Sequence, residues 1–261
     1  MCHADDSNPP PLPQDLAIAP LPPLAGGAAA EIATATSADG TDFSVAIALS
    51  SQPREPAVVI VPDVRGLYRF YSELAERFAA AGHHAIAIDP FGRTAGAPGE
   101  RAADWDYWPH VRATTPATIQ QDVRAATHVL QQRGAAERFA VVGFCFGGAQ
   151  AFLAATNPDL GLSRAVGFYG KLGDGSKLGI PSPAEEATRT VMPVLGLFGG
   201  ADEGIPEADR ARFAESLRTA GVDHEIHVYP GAPHSFFDRK QDEFADASAD
   251  AWRRTLAFLA D

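Results

Sequence analysis

Cysteine is scarce in this chain: Cys2 and Cys145 are the only two among 261 residues. Two thiols in unrelated contexts give no disulfide framework, which fits a reducing compartment. Basic residues are in deficit too. Lys and Arg number 21 against 33 Asp and Glu, for a net charge of −12. That balance speaks against nucleic acid or an anionic membrane surface as a partner, and an anionic substrate would need a local basic site. No apolar run approaches the roughly 20 residues of a membrane span. The opening Met1-Cys2-His3-Ala4-Asp5-Asp6 lacks the basic and apolar regions of a secretory signal. A cytoplasmic protein is therefore expected, as monomer or homodimer. No phosphate loop and no dinucleotide glycine fingerprint occurs. Composition is otherwise globular, 46% hydrophobic and 21% charged, and the length suffices for one large α/β domain.

Residues 1–30 carry seven prolines and then Ala/Gly-rich sequence, an extended arm ahead of a domain spanning 31–261. Residues 31–49 alternate around Asp39-Gly40, a hairpin signal. Apolar runs predict buried strands at Ala57–Val61, Ala85–Ile88, Phe139–Val142, Arg164–Phe168, Val191–Phe198 and His224–Tyr229. Helical spacing of Phe70, Leu74 and Phe78, of Ile119, Val123, Ala126 and Leu130, of Phe213 and Leu217, and of residues 242–260 predicts helices between or after them. Pro116 and Pro206 open two of these, while Gly82 and Gly134 act as stops. Residues 91–115, with Trp105, Tyr107 and Trp108, read as a long loop or small lid. Strands alternating with helices imply a mostly parallel sheet covered on both faces.

The string Gly143-Phe144-Cys145-Phe146-Gly147-Gly148 lies between a buried strand and a small-residue helix. This is the pattern of a nucleophile elbow with cysteine where serine is usual. Such a turn strains its central residue, and Gly143 and Gly147 remove the clashes that side chains two residues away would cause. The following helix points its N-terminus at the thiol, which favours a thiolate and any anion forming nearby. A buried, inert thiol is the alternative for Cys145 taken alone.

A nucleophilic thiol needs a base, and the base an orienting carboxylate. Gly199-Gly200-Ala201-Asp202 and Gly231-Ala232-Pro233-His234 each follow a strand, as Cys145 does. The order Cys145, Asp202, His234 is nucleophile, acid, histidine. Asp202 alone reads equally as a helix cap, and His234 alone as a loop histidine. Pairs such as His83 and His84, or His224 and His227, face opposite ways on strands and make no metal site. The loop Val61-Pro62-Asp63-Val64-Arg65-Gly66 also follows a strand. Backbone N–H groups of Phe146 and Val64 are the candidate oxyanion hole, and Asp63 is expected to point at the site.

On these four motifs, over roughly residues 40–260, the chain resembles the dienelactone hydrolase family of α/β-hydrolases. The resemblance implies the α/β-hydrolase fold, a Cys145–His234–Asp202 triad opening an ester or lactone through an acyl-enzyme, and no cofactor. It also implies that the first-loop carboxylate, here Asp63 in place of the usual Glu, pairs with thiol or histidine at rest. Phe236 joins Asp63 as a candidate at the substrate. The archetypal enzyme of that family binds its substrate's carboxylate with arginines, one of them four residues after the histidine. Here that position is Asp238 and arginine follows at Arg239, leaving Arg65, Arg101, Arg112 and Arg239 as candidates for that role. Acyl transfer, thioester cleavage and a catalytically inactive binding protein are the alternatives.

Overall fold

A computed structural model describes residues 7–13, 15–17, 30–102, 104–135 and 137–261. Its elements in chain order are β1 (Glu31–Thr36), β2 (Asp42–Ala48), β3 (Arg54–Val61), α1 (Arg69–Ala80), β4 (His83–Ile88), α2 (Gly92–Ala95), α3 (Trp108–Ala113) and α4 (Pro116–Gln132). Then come β5 (Phe139–Phe144), α5 (Phe146–Ala154), β6 (Leu162–Phe168), α6 (Pro183–Glu186), β7 (Val194–Gly199), α7 (Glu207–Ala220), β8 (His224–Tyr229) and α8 (Ala245–Ala260). The expected elements are present, with ends shifted by a few residues. The stretch 91–115 holds the short helices α2 and α3, which its lack of periodicity hid.

The eight strands form one sheet in the order β1-β2-β4-β3-β5-β6-β7-β8. The hairpin turns on Gly40, at φ 84°, and makes β1 and β2 antiparallel. β2 is also antiparallel to β4; every pair from β4 through β8 is parallel. β4 and β5 are buried along their whole length, as strands covered on both faces must be. β3 has β4 on one side and β5 on the other. The chain therefore reverses its direction of winding at the β3–β5 pair, and a crevice opens beyond their carboxyl ends. The loop carrying Asp63 and Val64 leaves β3 there, and Cys145 leaves β5 there.

The described part of the arm packs on the body. Leu12 is in the core, Trp252 Nε1 of α8 donates to Pro10 O (3.2 Å), Arg69 of α1 donates to Asn8 Oδ1 (3.0 Å), and Arg253 pairs with Asp15 (2.9 Å). The strap ties α1 to α8. Cys2 and the rest of the expected arm lie outside the described residues.

Candidate active site

Cys145 has φ 53° and ψ −110°, the left-handed strain expected of an elbow. The glycines around it are sterically required. A Cβ at Gly143 would strike the Gly147 carbonyl, one at Gly147 the Val61 carbonyl, and one at Gly148 the Phe168 carbonyl at 2.6 Å. Cys145 N–H donates to Phe168 O (3.0 Å), which ties the turn to the neighbouring strand end. The thiol is half-buried at the N-terminus of α5. Phe146 opens that helix, so its N–H is one of the donors a helix cannot pair internally. Around Val64, Asp63 N–H donates to Tyr71 Oη (2.9 Å) and Arg65 N–H to Asp63 Oδ1 (2.8 Å). The Val64 amide has no such partner among the described residues.

Asp202 and His234 are brought together by their loops. Gly200 N–H donates to Tyr229 O (2.8 Å) and Ala201 N–H to Ala232 O (2.9 Å), so the turn after β7 is stitched to the turn after β8. A side chain on Gly199 would strike Ala232 O. His234 Nδ1 and Asp202 Oδ2 are 2.6 Å apart, while Asp202 Oδ1 accepts the Gly204 N–H (2.9 Å). Asp202 thus both shapes its own turn and holds the imidazole, and Pro206, not Asp202, precedes α7 as its cap. Burial pushes the His234 imidazolium down. The negative charge on Cys145 and the bond and charge of Asp202 outweigh it, and its pKa rises to about 11.

The expected partners of the substrate are placed differently from one another. Asp63 gives its carboxylate to Arg65, through Nε (3.0 and 3.1 Å) and Nη2 (2.5 Å). The nearest committed cation, rather than the thiol, takes the acid. The Arg65 guanidinium also lies 4.2 Å from the Tyr68 ring and 3.6 Å from Asp238 Oδ2. Asp238 is buried, and burial, then the neighbouring Asp63, raises its pKa. Arg101 is spent on buried Asp89 (2.5 Å) and on the Gly96 carbonyl (2.7 Å). Arg112 sits near the exposed Trp108 ring on α3 (5.8 Å), and Arg239 Nη2 donates to Ser235 Oγ (2.8 Å). Phe236 has no exposed surface. Its ring lies against Tyr169 (5.7 Å) and Tyr229 (4.9 Å), so it forms the wall behind the histidine, not the mouth of the site.

Tyr169 escaped the sequence reading. It follows β6 with φ 38°, is fully buried, and its ring centroid is 5.0 Å from that of His234. The signal was its place one residue beyond a strand end at the active edge of the sheet, among Phe168 and Gly170.

A family model described as the dienelactone hydrolase family matches residues 43–261. A Salmonella typhimurium protein named "Putative carboxymethylenebutenolidase" is 34% identical over 210 residues, covering 78% of this chain and 77% of that protein. A Bradyrhizobium protein named "Probable 2-oxo-3-(5-oxofuran-2-ylidene)propanoate lactonase" is 30% identical over 233 residues, covering 84% and 91%. The solved structure of a "Putative Dienelactone Hydrolase" from Klebsiella pneumoniae superposes with a TM-score of 0.75 at 29% identity, covering 88% of this chain and 99% of that one. The strand order and the elbow described above are therefore those of the α/β-hydrolase fold. The matched region begins at Phe43, beyond the N-terminal strap.

Proposed function

The chain belongs to the dienelactone hydrolase family, and from that premise we propose that it cleaves an ester or lactone bond by covalent catalysis, with Cys145 as nucleophile, His234 as base and Asp202 as its orienting partner. The observation that carries this reading is the 2.6 Å pairing of Asp202 with His234 beside a strained elbow thiol. With Nδ1 committed to Asp202, the tautomer is fixed and Nε2 faces the thiol. The Cys145 sulfur attacks the carbonyl carbon. The developing oxyanion is received by the N–H groups of Phe146 and Val64, and the positive end of α5 favours its charge. The carbonyl re-forms as the alkoxy group leaves with a proton from His234, giving a thioester. Water, deprotonated by His234, then attacks that thioester; the acid is released and the thiol restored. All atoms of ester plus water appear in acid plus alcohol; a lactone gives both in one hydroxy acid.

The substrate class is a small neutral ester or lactone, although the relatives' names denote lactones that also carry a carboxylate. The burial of Asp238 and the commitment of Arg65 to Asp63 and Arg101 to Asp89 favour neutral over carboxylated substrates. With two cysteines and no disulfide framework, we place the protein in the cytoplasm. Among the described residues no helix is long and apolar enough to cross a membrane. The test is Cys145→Ala assayed on p-nitrophenyl esters and lactones, with mass spectrometry for a covalent acyl adduct on the native protein. The expected result is an adduct on Cys145 and loss of at least about a thousandfold in kcat for the variant. Retention of a sizeable fraction of the rate rules out Cys145 as nucleophile.

A further inference from the structure

Asp63, Val64, Arg65 and Gly66 follow β3 and carry four backbone amides in a row. Three are committed. Asp63 N–H donates to Tyr71 Oη (2.9 Å), Arg65 N–H to Asp63 Oδ1 (2.8 Å) and Gly66 N–H to Asp63 O (3.1 Å). Val64 N–H alone of the four has no acceptor among the described residues. Two of the three acceptors belong to the loop itself, so they set its shape and not where it points. Tyr71 Oη, on α1, is the acceptor that reaches it from another element.

The same side chain touches the other half of the site. The Tyr71 ring lies 5.7 Å from that of Phe144, the residue before Cys145, and edge-on to Tyr68 and Phe70, each at 5.1 Å. It has no exposed surface, and interior side chains packed this closely keep one position. The ends of β3 and β5 are adjacent, with Val61 opposite Gly143, and a Cβ on Gly147 would strike the carbonyls of Val61 and Pro62. The loop and the elbow therefore lie side by side. One is held by the phenol oxygen, the other packs against the phenol ring.

We propose that Tyr71 is a positioning residue for the oxyanion hole: it fixes the Val64 N–H relative to the Phe146 N–H at the spacing a tetrahedral oxyanion needs. The proposal rests on the reading of Cys145 as nucleophile. Tyr71 is fully buried and acts through these two contacts, not on the substrate. Without its oxygen the buried Asp63 N–H is unpaired. An unpaired buried donor is costly, which drives the backbone to turn toward another acceptor. That rotation carries the next amide, Val64, with it. Donors stabilise an oxyanion only when aimed at the place where its charge develops.

Tyr71→Phe removes the oxygen and keeps the ring. For p-nitrophenyl butyrate, kcat and kcat/KM should fall together by at least about tenfold, as when a contact made only in the transition state is lost. Binding of phenyl trifluoromethyl ketone should weaken at least about tenfold as well. The Cys145 sulfur bonds its carbonyl carbon, the carbonyl electron pair moves onto oxygen and the thiol proton goes to His234, so the adduct carries the oxyanion and no group leaves. In alkylation by iodoacetamide the sulfur bonds the methylene carbon and iodide leaves. No oxyanion forms, and the rate at Cys145 should change less than about twofold. If Tyr71→Phe does not fold, amide hydrogen exchange in the native protein decides: the ketone should slow exchange at Val64 at least about tenfold and leave Asp63 unchanged. Native protein that neither cleaves the ester nor alkylates faster than free cysteine overturns the nucleophile and this proposal with it. With an active native protein, three results overturn the role of Tyr71 alone: kcat unmoved in Tyr71→Phe, alkylation falling as far as kcat, or a Val64 amide that the ketone does not slow.

Discussion

Asp202 holds the imidazole of His234 by a 2.6 Å contact from Oδ2 to Nδ1, while its other oxygen accepts the N–H of Gly204. The two bonds separate what Asp202 does for its turn from what it does for the histidine. Asp202→Asn keeps an oxygen for Gly204 but offers no second anionic oxygen to His234. On the proposed mechanism kcat falls by about three to four orders of magnitude. Melting temperature should move little. A large loss of stability with near-normal specific activity in the folded fraction would make Asp202 a turn residue only.

His234 carries a proton to about pH 11, because the charge on Cys145 and the contact with Asp202 outweigh the burial that pushes it down. The ring should therefore show no NMR titration between about pH 6 and 9, where a free histidine titrates near 6.5. Cys145→Ala removes the largest raising influence, and the titration should move down toward or into that range. The raised value also fixes a sign for stability. Folded protein keeps a proton that the unfolded chain releases above about pH 6.5, so this contribution is complete below that pH and is lost as pH climbs through about 11. An unchanged His234 titration in Cys145→Ala would show that the thiol and imidazole do not share charge.

Gly147→Ala should be among the most damaging single-methyl additions in the chain. Its Cβ would meet the backbone carbonyls of Val61, the last residue of β3, and of Pro62 just beyond it. Overpacking of this kind costs about 1–3 kcal/mol or more. Thermal melts and esterase rate should fall together. Gly221→Ala, whose Cβ meets nothing within 4 Å although its φ is 71°, gives the backbone-strain comparison without a collision.

Asp63→Asn should be read first as a stability change. The Asp63 carboxylate balances the buried Arg65 guanidinium at 2.5 Å, and breaking a buried pair by removing one partner costs about 3–5 kcal/mol. Asp238, at 3.6 Å, offsets part of that. Urea melts should show the loss. A variant as stable as the native protein, with faster Cys145 alkylation, would instead return Asp63 to the role of a resting partner for the thiol.

Leu12→Ala tests the strap. Leu12 is buried and its neighbour Pro10 accepts the indole N–H of Trp252, whose ring packs on Phe78 (4.8 Å) and Phe237 (5.7 Å). The truncation should cost about 2–5 kcal/mol and raise protease cutting within residues 7–17. Unchanged stability and cutting would show that the strap rests on the body without holding it.

The order of strands and helices, the elbow and the sequence Cys145, Asp202, His234 were legible in the chain because local sterics decide them. Gly143, Gly147 and Gly148 stand where a Cβ would meet backbone within a few residues or across one strand pair, and apolar runs mark strands buried on both faces. The partners of the charged residues were not legible. Whether Asp63 turns to the thiol or to Arg65, whether Arg101 faces a substrate or Asp89, and whether Phe236 lines a mouth or a wall depend on which groups the sheet brings within a few ångströms. Residues far apart in sequence, such as Asp63 and Asp238, meet only when β3 and the turn after β8 are in place. Tyr169 shows the same limit: its place one residue beyond β6 points to the active edge, but only packing against His234 shows which group it meets there.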